Sequence, residues 1–150
     1  MQASEIFEHI KLKFPQVSVD ELGGAVVVPK ELFLEVAGYL KSGELFFDNL
    51  HCVTALDRKD RIELVYIFYS FKMRHRLILK VYLPAGDPEA ESLAQFYRSA
   101  DWFEREVYDM FGVKFRGHPD LRRILNPPDW EGYPLRKDYS HPDLIIKPRD

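Results

Sequence analysis

Ile62-Glu63-Leu64-Val65-Tyr66-Ile67-Phe68-Tyr69 is an apolar run interrupted by one acid and rich in the β-branched and aromatic side chains that suit a pleated strand. It is too continuously apolar for a sheet with one wet face. The reading is a central strand, covered by helices on one face and by other apolar material on the second. The flanking sequence agrees, with strands expected near 45–56 and 75–83 beyond the turns Asp57-Arg58-Lys59-Asp60 and Phe71-Lys72-Met73-Arg74. Leu77, Leu79, Val81 and Leu83 share one parity of the last strand. Connections this short favour an antiparallel meander.

Toward the N-terminus, Ile6, Phe7, Ile10 and Phe14 stand at helical spacing behind Ser4 as candidate N-cap, and Pro15 stops the run. Val17 to Asp20 and Ala25 to Val28 read as two short strands around Gly23-Gly24. Pro29 opens a helix whose apolar face is Leu32, Phe33, Val36, Tyr39 and Leu40, and Gly43 ends it. Toward the C-terminus, Leu93, Phe96, Ala100, Phe103, Val107 and Met110 form one helical stripe. The Asp101-x-x-Glu104 spacing suits a capping box, so the expectation is either one helix over about 89–111 or a break near Ser99 with a helix beginning there. Gly112 is the natural left-handed residue after it. Six of the ten prolines follow, between Pro119 and Pro148, and regular structure is expected to stop.

The fold class is α+β: a single domain with a mainly antiparallel sheet covered by helices on one face, followed by an extended irregular C-terminal tail. Residues 1–112 form the sheet domain ending in the charged helix. Residues 113–150 form a partner-docking tail that belongs to the same structural domain.

At 150 residues the chain is long enough for one core, and its net charge of −3 argues against wholesale binding to nucleic acid or anionic lipid. The imbalance is local: from Lys114 onward eight Lys/Arg face six Asp/Glu, against 13 and 18 in the first 113 residues. A mildly basic tail on an acidic body suits docking onto an acidic surface. The single Cys52 excludes an internal disulfide or a multi-thiolate metal site and points to a reducing, cytoplasmic setting. No apolar run approaches the roughly 20 residues that span a bilayer.

Three motifs bear on chemistry. On the last helix, Asp101 and Arg105 stand at i,i+4, with Glu104, Arg105 and Asp109 flanking the apolar stripe. Helix periodicity favours a solvated charged face. The sharper reading has Glu104, Arg105 and Glu106 holding the following loop through Arg122, Arg123 or backbone amides. Second, His118-Pro119-Asp120 places imidazole beside carboxylate, the raw material of acid–base catalysis, with Arg122 and Arg123 close by. No nucleophile or second metal ligand accompanies it, and bracing of the loop is the preferred reading. His9, His51, His75 and His141 are scattered singly, without ligand spacing. Third, Asp129-Trp130-Glu131-Gly132-Tyr133-Pro134-Leu135-Arg136-Lys137-Asp138-Tyr139 mixes residue types enriched in binding hot spots, in irregular backbone that is hard to satisfy internally. No phosphate-binding glycine motif is present.

Glu104-Arg105-Glu106-x-x-Asp109-Met110-Phe111, with His118-x-x-x-Arg122-x-Ile124-Leu125 and Asp129-Trp130-Glu131-Gly132-x-Pro134-Leu135-Arg136-Lys137-Asp138-Tyr139, resembles the signature of one peripheral-arm subunit of proton-pumping NADH–quinone oxidoreductase, respiratory complex I. In mitochondria it is called the 30 kDa subunit. The resemblance covers nearly all of the chain; Ser140 departs from the proline usual after Asp-Tyr.

The resemblance implies a non-catalytic, cofactor-free structural and assembly subunit of the peripheral arm. FMN and iron–sulfur clusters would lie in partner subunits. The chief partner would be the subunit of the quinone module that is related to hydrogenase large subunits, and the location the cytoplasmic side of the cell membrane, held there by the complex. On this reading Glu104, Arg105, Glu106, Asp109, His118, Arg122 and Arg123 form a helix–loop clasp. Asp129, Trp130, Arg136, Lys137, Asp138 and Tyr139 carry partner contacts. The alternatives are the equivalent subunit of a ferredoxin- or other donor-dependent complex or a membrane-bound hydrogenase, and a stand-alone small enzyme using His118 and Asp120.

Overall fold

Alternation decides which face of each strand is buried. In a computed structural model that describes residues 1–145, strands β1 (Ser18–Val19), β2 (Val26–Val27), β3 (Asn49–Asp57), β4 (Arg61–Ser70) and β5 (His75–Pro84) form one sheet in the order β1-β2-β5-β4-β3. Residues 146–150, the last of the expected tail, lie outside the described residues. All pairings in this sheet are antiparallel except β2 with β5, which the intervening hairpins and helix bring in parallel. β4 is an interior strand, bonded to β3 and β5 along its length, although the middle place in the order belongs to β5.

One face of the sheet carries Ile62, Leu64, Tyr66 and Phe68 of β4, flanked in register by Leu77, Leu79, Val81 and Leu83 of β5 and by Leu50, Val53 and Ala55 of β3. All are buried. The helices α1 (Ala3–Lys13), α2 (Phe33–Ser42) and α3 (Ala100–Phe111) add their apolar stripes to the same core, with Phe33 of α2 against the Tyr66 ring at 4.7 Å.

The opposite face departs from expectation. Val65, Ile67 and Tyr69 are only half-buried; Thr54, opposite Val65, and Leu56 and Tyr82, on either side of Glu63, are exposed, so nothing among the described residues covers this side of β4 fully. Its apolar residues serve pleated packing within the sheet without a second layer above them.

Three local expectations are corrected. α1 begins earlier, with Gln2 as N-cap and Glu5 reaching back to the Gln2 amide at 2.8 Å; Ser4 lies inside the first turn. The helix expected from Pro29 opens as a 3₁₀ turn, Lys30–Leu32, before α2 starts at Phe33 and ends at Gly43. Finally, of the two alternatives for 89–111 the structure has the second, a helix that begins after a break near Ser99, but the segment before it is not helical from its start, where β6 (Glu89–Glu91) lies. β6 pairs in parallel with β7 (Lys114–Arg116), so regular structure continues beyond Gly112. Val113 and Phe115 are buried in the common core, and residues 113–116 are therefore part of the fold. Among the described residues no helix is long and apolar enough to cross a membrane.

Leu64→Ala is expected to lower the unfolding free energy by about 2–5 kcal/mol in urea titration. Ile67→Ala, on the open face, should cost clearly less. Equal losses would show that both faces of β4 are covered alike.

Candidate functional site

A helix leaves its last carbonyls without partners, and α3 has no basic residue in its last turn to meet them. The chain after Gly112 supplies what is missing. Gly112, at φ 75°, turns left-handed and bonds back to the Tyr108 carbonyl, and the Tyr133 ring closes over it so tightly that a Cβ would stand 2.6 Å away. Arg123 Nη1 then donates to the Asp109 carbonyl at 3.0 Å, the Leu135 amide to that of Met110 at 3.0 Å, and Arg136 Nη1 to that of Phe111 at 3.4 Å.

The helix's charged residues are not a solvated face. Glu104, Arg105 and Asp109 are buried, so each must find partners inside the protein. Asp109 Oδ2 accepts the amides of Ile124, Leu125 and Asn126 at 3.1, 2.8 and 2.9 Å. Its Oδ1 accepts Arg123 Nη1 at 2.7 Å and Asn126 Nδ2 at 2.9 Å. Burial alone would raise the acid's pKa, but the Asn126 amide, the Arg123 guanidinium, the Asn126 side chain and the Leu125 amide overcome it, holding Asp109 well below the usual carboxylate range.

Arg105 does not pair with Asp101, four residues before it. Its guanidinium lies over the Trp102 ring at 5.3 Å and donates to the carbonyls of Arg122 and Arg123 at 3.2 and 3.1 Å. Arg123 Nη2 continues to the Gly132 carbonyl at 2.9 Å. Helix, loop and tail are thus one hydrogen-bonded unit.

Glu104 faces the other way. Its carboxylate accepts Ser92 Oγ at 2.6 Å and the Leu93 amide at 2.7 Å, fastening the segment before the helix, so the expected capping box is absent and Ser99 is the N-cap. Burial without a paired cation pushes its pKa up to about 7, against the pull of those two hydrogen bonds and with a further push from Asp101.

His118 is enclosed, its side chain fully buried. Nδ1 accepts the Asp120 amide at 3.0 Å, so the ring proton sits on Nε2, which donates to the Asp101 carbonyl at 3.0 Å and lies 4.0 Å from Glu104 Oε2. The Asp120 carboxylate turns away to Arg122 at 2.8 Å, on the surface. The His118 imidazole and the Asp120 carboxylate therefore do not pair, and His118 braces loop to helix, as the preferred reading had it. The Glu106 side chain is exposed and makes no hydrogen bond among the described residues, and Arg122 joins the clasp through its carbonyl rather than its side chain. Also among the described residues, no group of three His, Cys, Asp or Glu stands close enough to hold a metal ion.

The expected contact residues divide. Arg136 is largely internal: Nη2 donates to the Ala85 carbonyl at 2.7 Å and Nε lies 3.6 Å from Asp57, which also accepts the Lys137 amide at 2.8 Å. Trp130 and Tyr139 are half-buried and stack with His141, with centroids at 5.2 and 6.3 Å. Asp129, Lys137 and Asp138 are exposed, beside the outward Leu125 and Leu135. The tail therefore lies on its own domain. Ser92, Asp57 and Asn126 join the clasp as partners that sequence reasoning does not find, since each is an ordinary turn or strand-end residue without local signal.

Residues 26–143 match the family described as "Respiratory-chain NADH dehydrogenase, 30 Kd subunit". The corresponding subunit of the NADH-quinone oxidoreductase of Trichlorobacter lovleyi is 46% identical over 83% of this chain and 78% of its own length. That of the F(420)H(2) dehydrogenase of Methanosarcina mazei is 39% identical over 93% of both. The chain spans 45% of the longer NADH-quinone oxidoreductase relative from Chloroherpeton thalassium, at 47% identity. Among solved structures, a trypsin-resistant fragment of Nqo5 aligns with a TM-score of 0.68 at 32% identity, over 81% of this chain and all of that one. Part of the archaeal membrane-bound sulfane sulfur reductase aligns at 0.72 and 28% identity, over 91% of this chain and 85% of that one.

Asp109→Ala leaves the half-buried Arg123 without its carboxylate and three backbone amides without their acceptor, and should cost about 3–5 kcal/mol, read by denaturant unfolding. A loss below 1 kcal/mol would show that the clasp is solvated. Glu104 gives the opposite pH signature. Its folded pKa near 7 exceeds the unfolded value, so its contribution is fully present below about pH 4 and fades as pH rises toward 7. Glu104→Gln mimics the neutral acid: its carbonyl oxygen can accept the Leu93 amide and its NH2 group donate to Ser92 Oγ, without a charge. Between about pH 4.5 and 7 the native protein should lose up to roughly 3 kcal/mol relative to this variant; parallel pH curves would place the carboxyl in water.

Proposed function

The chain belongs to the family of the 30 kDa subunit of respiratory-chain NADH dehydrogenase, and from that premise we propose that it is a structural and assembly subunit of the peripheral arm of a quinone-reducing respiratory complex. Its relatives are subunits of oxidoreductase complexes, and other subunits of such a complex are its partners. The chain supports electron transfer from NADH to quinone without catalysing a step itself, and FMN and iron–sulfur clusters reside in neighbouring subunits. Its chief partner is the quinone-module subunit related to hydrogenase large subunits, and the assembly holds it peripherally at the cytoplasmic side of the membrane.

The observation that carries this reading is the tail. Its inner side is consumed by capping α3, while Leu125 and Leu135, 64% and 55% exposed, stand outward with Asp129, Lys137 and Asp138. A segment already ordered on its own domain loses little conformational freedom on binding, as a permanent subunit interface requires. The enclosed His118 and the diversion of Asp120 to Arg122 speak against a stand-alone hydrolase or isomerase built on that pair.

A second reading concerns the donor. The 39% identity over nearly the whole of an F(420)H(2) dehydrogenase subunit supports the same structural role in a complex fed by another reductant. Mass spectrometry of the complex purified through this chain distinguishes the two by its electron-input subunits.

Leu135 reaches its own domain through its backbone amide and turns its side chain to solvent. Leu135→Asp should therefore reduce co-purification of the partner subunits at least roughly tenfold, about 1.4 kcal/mol, with the melting temperature of the isolated chain unchanged. Full retention of partners would move the interface off the tail.

A further inference from the structure

The β4–β5 turn, Phe71-Lys72-Met73-Arg74, reads in sequence as a polar connection. In three dimensions it is an aromatic shelf. Phe71 and Met73 are 65% and 42% exposed, and Phe46, from the segment before β3, joins them at 40%. The Tyr69 ring meets that of Phe71 edge-on at 5.1 Å, and Lys72 Nζ lies over the Phe46 ring at 4.6 Å. Isolated exposed apolar residues need no explanation, but a cluster of large ones on one projection does.

Two features show that the shelf is built rather than incidental. Phe46 and Arg74 both adopt left-handed backbone, at φ 47° and 52°, which non-glycine residues avoid unless the surroundings impose it. Asp48 Oδ1 accepts the Phe71 amide at 3.0 Å and the Ser70 hydroxyl accepts that of Met73 at 3.1 Å, so the turn's backbone is pinned while its apolar side chains remain in solvent.

Cations outnumber carboxylates around the shelf. Lys72, Arg74 and Arg76 are exposed, and Lys41 donates to the Asp48 carbonyl at its base, at 3.2 Å. Two acids stand against these four cations: Asp48, which accepts the Phe71 amide, and Glu44, 3.1 Å from His9. The whole chain carries −3, so these cations stand out on an acidic remainder.

We propose that this hairpin tip is a second docking surface, distinct from the tail, and that it takes an apolar recess rimmed by carboxylates on another protein subunit of the complex. The proposal rests on the reading of the chain as part of such a complex and concerns a different face of it. Phe71 and Met73 supply the desolvated centre and the surrounding Lys and Arg the rim, the usual anatomy of a binding hot spot. A protein partner fits the charges better than an anionic bilayer does. Carboxylates around a recess lie within a Debye length of the tip's cations, whereas an extended lipid surface would also face the acidic remainder of the chain. The half-open face of β4, reached from the tip through Tyr69 and Ile67, continues the same apolar strip.

The test uses the assembled complex. With p-benzoylphenylalanine in place of Phe71, irradiation and peptide mapping should give a cross-link to another subunit, at an apolar segment carrying at least two carboxylates. Cross-links to lipid, to this chain alone, or to none of the other subunits overturn the proposal. In parallel, the double variant Lys72→Glu/Arg74→Glu should lower incorporation at least roughly tenfold without shifting the melting temperature of the isolated chain, while Lys72→Arg is neutral. Normal incorporation of the double variant overturns the proposal even where Leu135→Asp abolishes assembly. If both variants incorporate normally, the role of the tail falls as well.

Discussion

A carboxylate removed from water has to find its hydrogen bonds in the protein, and Asp109 finds five, from three consecutive backbone amides, one guanidinium and one carboxamide. Its position makes the demand sharper. Asp109 stands in the last turn of α3, where the helix dipole disfavours negative charge and where backbone acceptors already lack donors. Both deficits are met from the same source, a loop that turns at Gly112 and returns with Arg123, the amides of 124–126, the Leu135 amide and Arg136. The loop that takes the acid and the last carbonyls out of water thus also supplies their donors. The irregular tail is therefore as much a part of the fold as any strand.

Glu104, on the same helix, shows how far partners rather than residue type set electrostatics. Both acids are buried, yet Asp109 is held well below the ordinary range and Glu104 is pushed up to about 7, because Asp109 has a guanidinium and a fan of amides while Glu104 has one hydroxyl and one amide. The two carboxylates clamp opposite ends of the structure around the helix, Asp109 the tail and Glu104 the Ser92–Leu93 segment. Arg105, between them, ties Trp102 to the same loop. The signature that marks the family is in this chain an account of how one helix is fastened on both sides.

That fastening yields two kinds of surface. The inner side of the tail is committed to its own domain, which leaves ordered backbone with outward leucines and charges. The face of β4 away from the helices remains half-open and leads to the shelf at the hairpin tip. A subunit that stands among several others has use for more than one rigid, partly apolar face, and both of these are positioned by well-buried elements rather than by loops free to rearrange.

Elements whose cause is local or periodic were legible in the amino-acid sequence. The strand at 61–70 follows from its apolar run, the meander from short turns, the stripe of α3 from steps of three and four, and the left-handed stop at Gly112 from the freedom of glycine. The long motif identified the family as well. Partnership across the chain was settled only by folding: Glu104, Arg105 and Asp109 are buried, Asp120 leaves His118 for Arg122, Ser92 and Asp57 anchor segments distant in sequence, and one face of β4 stays open. Periodicity reports which side of a helix is apolar, but a buried charge is permitted only by donors and acceptors brought from elsewhere. Neither those partners nor the lack, among the described residues, of a second layer over β4 leaves a mark in the local pattern, because the interactions act between segments that meet only after folding.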